Sequence, residues 1–279
     1  MILIADSGST KTDWILIENK IIKSIFTSIG LNPYFISSNE IAEHLKKSIP
    51  TTINLEQIKN IYFYGAGCST KEKSVIVETG LKTTFINSEF LINTDLLASA
   101  RALFGNNSGI IGILGTGSNS GYYDGNIIMN NIPGYGYILG DEGSGAVLGM
   151  EFIKAYLHNE LPLNIKEIFF NYYNLSVSDI LDNVYKKPLP NRFFASFGKF
   201  LHSNLDNEYI SKLVKDCFDK FFDKYICKYN NYKNYPIKFS GSIAYNFKQI
   251  LYLAASDRNL IIDEIIEHPI SRLAKYHTK

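Results

Sequence analysis

The chain has 279 residues, 46% hydrophobic and 20% charged, enough for about two folded domains with full cores. Its net charge of +1 excludes a strongly basic surface for nucleic acid or an anionic membrane. Cys68, Cys217 and Cys227 are odd in number and far apart, which excludes a disulfide framework or a cysteine metal site. With no leader-like N-terminus and no apolar run of about 20 residues, the composition points to a reducing cytoplasm and no membrane partner.

In chain order, the apolar run Ile2–Ala5 predicts a strand that ends at Asp6 and turns through Gly8-Ser9-Thr10 into a second strand over Asp13–Ile17. A tight turn at Glu18-Asn19-Lys20 leads into Ile21-Ile22. Ser38–Ser48 has helical spacing at Ile41, Ala42 and Leu45. Ile61–Tyr64 reads as a buried strand and Ser69–Leu81 as a helix. Leu91–Phe104 reads as a further helix, although Phe90-Leu91-Ile92 is also strand-like and would leave Asp95 at the helix start. Gly105-Asn106-Asn107 marks a domain boundary.

The second half repeats the opening pattern. Strand Ile110–Leu114 turns through Gly115-Thr116-Gly117-Ser118 into Gly121–Tyr123, then through Asp124-Gly125-Asn126 into Ile127-Ile128. A loop over Asn130–Gly140 precedes a helix from about Glu142 to Leu157, and residues 160–190 carry no clear pattern. Phe193–Ile226 reads as two helices split near Leu205-Asp206, with Phe193, Phe194, Phe197 and Phe200 forming a core or a dimer face. Strands at Ile237–Phe239 and Leu260–Ile262 flank a helix over Asn246–Ala254, and Pro269–Lys279 reads as a terminal helix. Strands alternating with helices indicate an α/β architecture.

Consecutive amides in a glycine turn make an anion-binding concavity, and hydroxyls add donors. A pair of such turns in matching strand frames suggests a two-sided phosphate clamp. Neither is a P-loop, since Thr10 rather than Gly precedes Lys11, and Gly115, Gly117 and Gly121 are spaced too widely for a dinucleotide fingerprint. Asp6 reads as an Asx-turn residue or as a carboxylate that holds Mg²⁺ against nucleotide phosphates, and the adjoining turn favours the second. Asp95 reads evenly as a helix N-cap or a general base. Asp141, in Gly140-Asp141-Glu142-Gly143-Ser144, reads as a cap or as a binder of vicinal hydroxyls, with Glu142 a lower-ranked choice for that role.

Three stretches together resemble the sugar-kinase branch of the actin/Hsp70/hexokinase superfamily, and more narrowly the N-acetylglucosamine kinase and BadF-type ATPase family. They are Asp6–Thr12; Asn93-Thr94-Asp95 with Gly115–Asn119; and Gly134-Tyr135-Gly136 with Gly140–Ser144. Ser240–Ala244 is similar to the family's adenosine motif. The resemblance implies two actin-like (ribonuclease H-like) domains around an ATP and substrate cleft, residues 1–106 with a terminal helix at about 268–279, and residues 107–267.

It implies an ATP- and Mg²⁺-dependent phosphorylation of an amino sugar, first N-acetylglucosamine at its 6-hydroxyl, by a cytoplasmic homodimer. Glucosamine, N-acetylmuramic acid and another hexose are the alternative acceptors, and a non-catalytic nucleotide- or sugar-responsive regulator is the alternative role. By resemblance, Asp95 is the base, which tips the even reading above, and Asp6 serves the metal. Gly8, Ser9, Thr10, Lys11, Thr116, Gly117, Ser118, Gly241 and Ser242 hold ATP. Asn32, Asn119, Gly134, Tyr135, Asp141 and Gly145 face the sugar. The chain departs from the family at Tyr135, where animal enzymes tend to carry Trp, at Tyr137, which replaces a His, and at Leu96, where Ala is common. No second cysteine is placed to pair with Cys68 across an iron–sulfur cluster, as BadF-type activators require.

Overall fold

The computed structural model describes residues 1–278. Contacts divide the chain into two compact units. The first holds Met1–Ser108, Tyr123–Ile128 and the stretch from His268 onward, and the second holds Gly109–Tyr122 and Met129–Glu267.

The first unit is built on β1 (Ile2–Ser7), β2 (Lys11–Glu18), β3 (Ile21–Ile29), β4 (Asn60–Gly65) and β5 (Glu89–Thr94), in the sheet order β3-β2-β1-β4-β5. β1, β2 and β3 form an antiparallel meander, while β4 and β5 add in parallel to β1. Side chains alternate faces along a strand. Leu3, Ala5, Trp14, Leu16 and Phe26 therefore share one face, joined in a core by Ile41 and Leu45 of α1 (Ser38–Ser48) and Val77 and Leu81 of α2 (Lys71–Thr84). Trp14 stacks on Phe26 at 5.6 Å between centroids and donates through its indole N–H to Ser28 at 3.0 Å. The other face carries Ile4, Ile15 and Ile17 and meets α3 (Asp95–Phe104) and α12 (Ile270–Tyr276).

A three-part polar chain ties α12 down. The Arg101 guanidinium donates to the Tyr64 hydroxyl at 2.8 Å, so the single Tyr64 proton goes to His277 Nε2, also at 2.8 Å. His277 is thus neutral, stacked 3.9 Å from the Tyr62 ring, and burial and the Arg101 charge lower its pKa to about 4.

The second unit repeats the sheet. β6 (Gly109–Leu114), β7 (Ser118–Tyr123), β8 (Ile128–Pro133), β9 (Ile237–Ser240) and β10 (Ile262–Ile266) run in the order β8-β7-β6-β9-β10, with β9 parallel to both β6 and β10. Strand for strand this is the order of the first sheet. Between β8 and β9 the chain inserts α4 (Gly145–Leu157), α5 (Leu163–Tyr173), α6 (Val177–Tyr185), α7 (Pro190–Ala195), α8 (Gly198–Ser203) and α9 (Glu208–Lys224). After β9 come α10 (Ser242–Asn246) and α11 (Lys248–Ser256). Their aromatic core includes Phe152, Phe169, Phe194, Phe197 and Phe200, which places the latter three inside the unit and removes them from any dimer face.

Several expected boundaries shift. The helix expected over Leu91–Phe104 begins only at Asp95, because residues 89–94 pair with β4. The expected loop over Asn130–Gly140 starts as strand β8, and the helix expected from Glu142 begins at Gly145. The unread stretch 160–190 holds α5 and α6, and Phe193–Ile226 divides into three helices. The expected strand Leu260–Ile262 lies mostly one step later, at β10. The terminal helix ends at Tyr276, and the last residue of the expected span lies outside the described residues. No helix among the described residues is long and apolar enough to cross a membrane.

α4 and α7 pack so closely that a Cβ on Gly149 would stand 1.9 Å from the Phe194 carbonyl oxygen. Gly149→Ala is expected to destabilise the protein by about 1–3 kcal/mol through overpacking, read as a lower denaturant midpoint. An unchanged midpoint would contradict this contact.

Candidate functional site

In the first unit the β1–β2 turn is held by Gly8 N–H donating to Lys11 O and by Gly30 N–H donating to Thr10 O, both at 3.0 Å. Gly30 is required there, since its Cβ would fall 2.4 Å from the Gly8 carbonyl oxygen. The buried hydroxyls of Ser7 and Thr12 bond across the hairpin at 2.8 Å, and Ser7 Oγ also accepts from Leu31 N–H at 3.0 Å. Asn32 belongs to the same construction. Its amide donates to Ser9 Oγ at 3.2 Å and its carbonyl accepts from Tyr34 N–H at 3.0 Å. Gly67 leaves room for it, because a Cβ there would lie 2.4 Å from Asn32 Oδ1. Asn32 is therefore buried structure that braces the turn, with part of its hydrogen-bonding capacity already used.

Asp6 is the next-to-last residue of β1 and lies opposite Asp13 in the β1–β2 register. Asp13 is paired with the half-exposed Lys11 ammonium at 2.8 Å. Asp6 keeps some accessible surface, yet desolvation first, then the charges of Asp95 and Asp13, raise its pKa to about 7, against a lowering by Lys11. Asp13 was absent from the expected site. The signal for it was hairpin symmetry, because counting outward from the turn brings residues 6 and 13 face to face.

Asp95 is the first residue of α3, and the cap position belongs to Thr94, whose hydroxyl accepts from Leu97 N–H at 3.2 Å. The N-cap alternative for Asp95 is thereby replaced. Its carboxylate accepts from Leu96 N–H at 2.9 Å, a bond that favours ionisation, but desolvation dominates and raises the pKa to about 6. The site thus holds two carboxylates poised near neutrality, with the nearby ammonium already engaged.

In the second unit the turn Gly115–Gly117 is closed by Gly115 N–H donating to Gly117 O at 2.9 Å. It also caps α4. Gly145 and Ala146 N–H donate to Gly115 O and Thr116 O at 2.8 and 3.1 Å. Gly241, at φ +111°, passes close beneath, since a Cβ would lie 2.3 Å from Leu114 O. The expected ATP residues Thr116, Gly117, Gly241 and Ser242 and the expected sugar residue Gly145 are therefore gathered at the end of β6. Ser118 Oγ is buried with no hydrogen-bond partner among the described residues, a donor for a ligand oxygen.

Asp141 has the left-handed φ of +55°. Its carboxylate accepts from the Ser118 and Gly136 amides, yet burial prevails and raises its pKa to about 6. Two glycines make room for it: a Cβ on Gly134 would lie 2.0 Å from Oδ1, and one on Gly117 2.9 Å from Oδ2. Asp141 does not cap α4, because Ser144 does, through Val147 N–H at 3.2 Å. Glu142 is largely buried and engaged through one oxygen by Lys224 and through the other by Tyr225. Asn119 Oδ1 accepts from Ser120 N–H and the Asn131 amide at 2.9 and 2.8 Å. Tyr135, at φ +64°, is 70% exposed, with Ile138 and Leu139 likewise exposed in the same loop.

No protein-family model matches the chain, and no curated protein matches it. Among solved structures, a candidate N-acetylglucosamine kinase from Porphyromonas gingivalis is 38% identical, with a TM-score of 0.95 over 100% of this chain and 99% of its own. This chain belongs to the N-acetylglucosamine kinase family. A candidate N-acetylglucosamine kinase from Chromobacterium violaceum is 16% identical, with a TM-score of 0.76 over 99% of this chain and 98% of its own. A ROK family glucokinase from Streptomyces griseus, solved with glucose and AMPPNP, is 11% identical, with a TM-score of 0.56 over 99% and 97%. These two share the fold, the actin-like ATPase architecture to which both five-stranded sheets of this family member conform.

Folding raises the Asp95 pKa from 3.8 to about 6, so the folded state holds this proton more tightly than the unfolded chain. The stability it contributes is fully present below the unfolded value and is lost as pH rises through about 6. Asp95→Asn is expected to stabilise the ligand-free protein at pH 7.5 by about 1–2 kcal/mol, allowing for the part of the carboxylate that water still reaches. That corresponds to a Tm gain of roughly 2–4 °C per kcal/mol, shrinking toward zero near the unfolded-state pKa. A Tm that falls at pH 7.5 would show that desolvation is not what governs this carboxylate.

Proposed function

We propose that this protein transfers the terminal phosphoryl group of ATP to a hydroxyl of an amino sugar, N-acetylglucosamine at its 6-hydroxyl. The observation that carries the reading is the 38% identity over the whole chain with the Porphyromonas gingivalis protein. It is supported by Asp95, a desolvated carboxylate that is not the N-cap of α3 and whose pKa lies near 6. A general base works best when its pKa lies near the working pH, and Asp95 is ionised at neutrality yet still basic enough to draw a proton. The two units are, in this reading, the two actin-like domains.

Asp95 Oδ2 orients the acceptor hydroxyl and takes its proton as the oxygen attacks phosphorus. Asp141 and Asn119 accept and donate hydrogen bonds to other sugar hydroxyls. Asn32 reaches the sugar with the amide hydrogen left over from Ser9. The left-handed Tyr135 and the small Gly134 and Gly145 shape the floor near the acyl group. Gly8, Ser9, Thr10 and Lys11 approach the phosphates from the first turn. Thr116, Gly117 and the unpartnered Ser118 hydroxyl approach them from the second, and Gly241 and Ser242 lie under the nucleoside.

The donor set suits Mg²⁺. Asp6 is a hard oxygen ligand whose raised pKa reflects burial first and the charges of Asp95 and Asp13 second, surroundings that a cation would relieve. Mg²⁺ takes one or two carboxylates and completes its shell with water and phosphate, so Asp6 alone could supply the protein's share. When bound, such an ion neutralises charge on the phosphates during transfer. Most of the remaining catalysis is positioning and charge stabilisation by the chain itself.

A coupled assay of ADP release across glucosamine, N-acetylglucosamine, N-acetylmuramic acid and glucose tests the reading. N-acetylglucosamine is expected to give the highest kcat/KM, and Asp95→Asn to lower kcat by roughly 10²–10⁴-fold. The rate should fall as pH drops through about 6, where Asp95 takes up its proton. Nucleotide binding without sugar-dependent ADP release on any sugar would favour the regulator instead.

A further inference from the structure

Two tyrosines from one short stretch of chain hold both arms of the loop that presents Asp141. Tyr225 follows α9 directly, and Tyr229 follows the single turn Ile226–Lys228. Both are buried, at 3% and 4% exposure.

Tyr229 closes a ring of hydrogen bonds. Ile132 N–H donates to the Tyr229 oxygen at 3.1 Å, and Ser120 Oγ donates to Ile132 O at 3.2 Å. Ser120 has one proton, so the 2.8 Å bond between the two hydroxyls takes its proton from Tyr229. The carbonyl of Ile132, next to last in β8, is thereby bonded to Ser120 of β7, and its N–H to Tyr229, which itself bonds Ser120. Tyr225 acts one residue beyond Pro133. Its hydroxyl donates to the Glu142 carboxylate, which also receives Lys224, and its oxygen lies 3.4 Å from the Gly134 carbonyl and would lie 2.9 Å from a Cβ on Gly140.

Pro133 joins the two anchor points, and its ring fixes φ, which removes one of the torsions by which Ile132 and Gly134 could move apart. Gly134 in turn carries Asp141: its carbonyl accepts Asp141 N–H at 2.7 Å, and its Cα faces the Asp141 carboxylate. Asn119 is reached the same way, since it adjoins Ser120 and shares the Asn131 amide with the Ser120 carbonyl.

We infer that Tyr225 and Tyr229 are positioning residues for the sugar site, clamping the 132–142 loop so that Asp141 and Asn119 stand ready before the sugar arrives. This rests on the sugar-kinase reading. The two phenols touch no proposed substrate atom and act through Ser120, Ile132, Gly134 and Glu142. Because they come from the insertion between β8 and β9 rather than from the sheet, sugar selectivity is governed from that insertion.

The test compares Tyr225→Phe, Tyr229→Phe and Glu142→Gln with wild type, using N-acetylglucosamine and ATP as probes and the exposed Tyr172→Phe as control. Each of the three variants should raise the KM for sugar by about five- to tenfold, the worth of one buried hydrogen bond, while the KM for ATP and kcat stay within about twofold. Tyr225→Phe and Glu142→Gln combined should cost less than the sum of the single effects, because both weaken the Tyr225–Glu142 contact. Tyr229→Phe should also speed hydrogen exchange at the Ile132 amide. Active variants with unaltered sugar KM would overturn the inference while leaving the kinase reading intact. Equal rises in both KM values, tracking the loss in Tm, would reduce the tyrosines to structural supports and overturn it too. A wild type that neither binds nor phosphorylates any sugar would overturn the kinase reading, and this inference with it.

Discussion

Asp6 and Asp95 repel one another in poorly solvated surroundings, and much of the first unit is organised around keeping them there. Burying like charges opposes folding unless something holds the groups in place. The backbone does so. Asp6 is pinned by register to both β2 and β4, and Asp95 is set by the last residue of β5 and the first turn of α3. The N-cap of α3 comes from Thr94, and the Asp95 carboxylate accepts only the Leu96 N–H through Oδ1. Lys11, which could neutralise Asp6, is drawn aside by Asp13. The result is a pair of carboxylates whose burial costs stability at neutral pH.

The second unit meets a similar demand with a different device. Asp141 is raised toward neutrality by burial, but it is held by amides and by the absence of side chains at Gly117 and Gly134. Its left-handed backbone adds strain, and strain of this kind persists only where the surroundings over-determine it. The Tyr225–Glu142 and Tyr229–Ile132 contacts supply that over-determination. Both units repeat one five-strand order, yet only the second carries the long helical insertion that delivers these tyrosines.

The repeated meander was legible because its turns are marked by glycine and its strands by unbroken apolar runs. Asp6, Asp95 and Asp141 stood out because each adjoins such a turn or a helix start. The β5–α3 boundary was not, because Leu91 and Ile92 satisfy a helical pattern as well as a strand, and only pairing with β4 decides between them. α5 and α6 were hidden because Leu163, Phe170, Tyr172, Val177 and Tyr185 are exposed and blur the apolar period. Asn32 was placed at the site, but its bracing of Ser9 depends on a Gly67 whose role appears only in three dimensions. Tyr225 and Tyr229 were beyond reach, since their partners lie 83 and 109 residues away and no local motif links them.

The clasp between Tyr64 and His277 spans 213 residues, and the unit it closes is assembled from three separate stretches of chain. All of the second unit lies within the loop that this contact closes. Ile4, Ile15 and Ile17 receive their α12 cover only when a loop of that size has been closed, so the packing of this face of the first sheet carries the loop-closure entropy of an entire intervening unit.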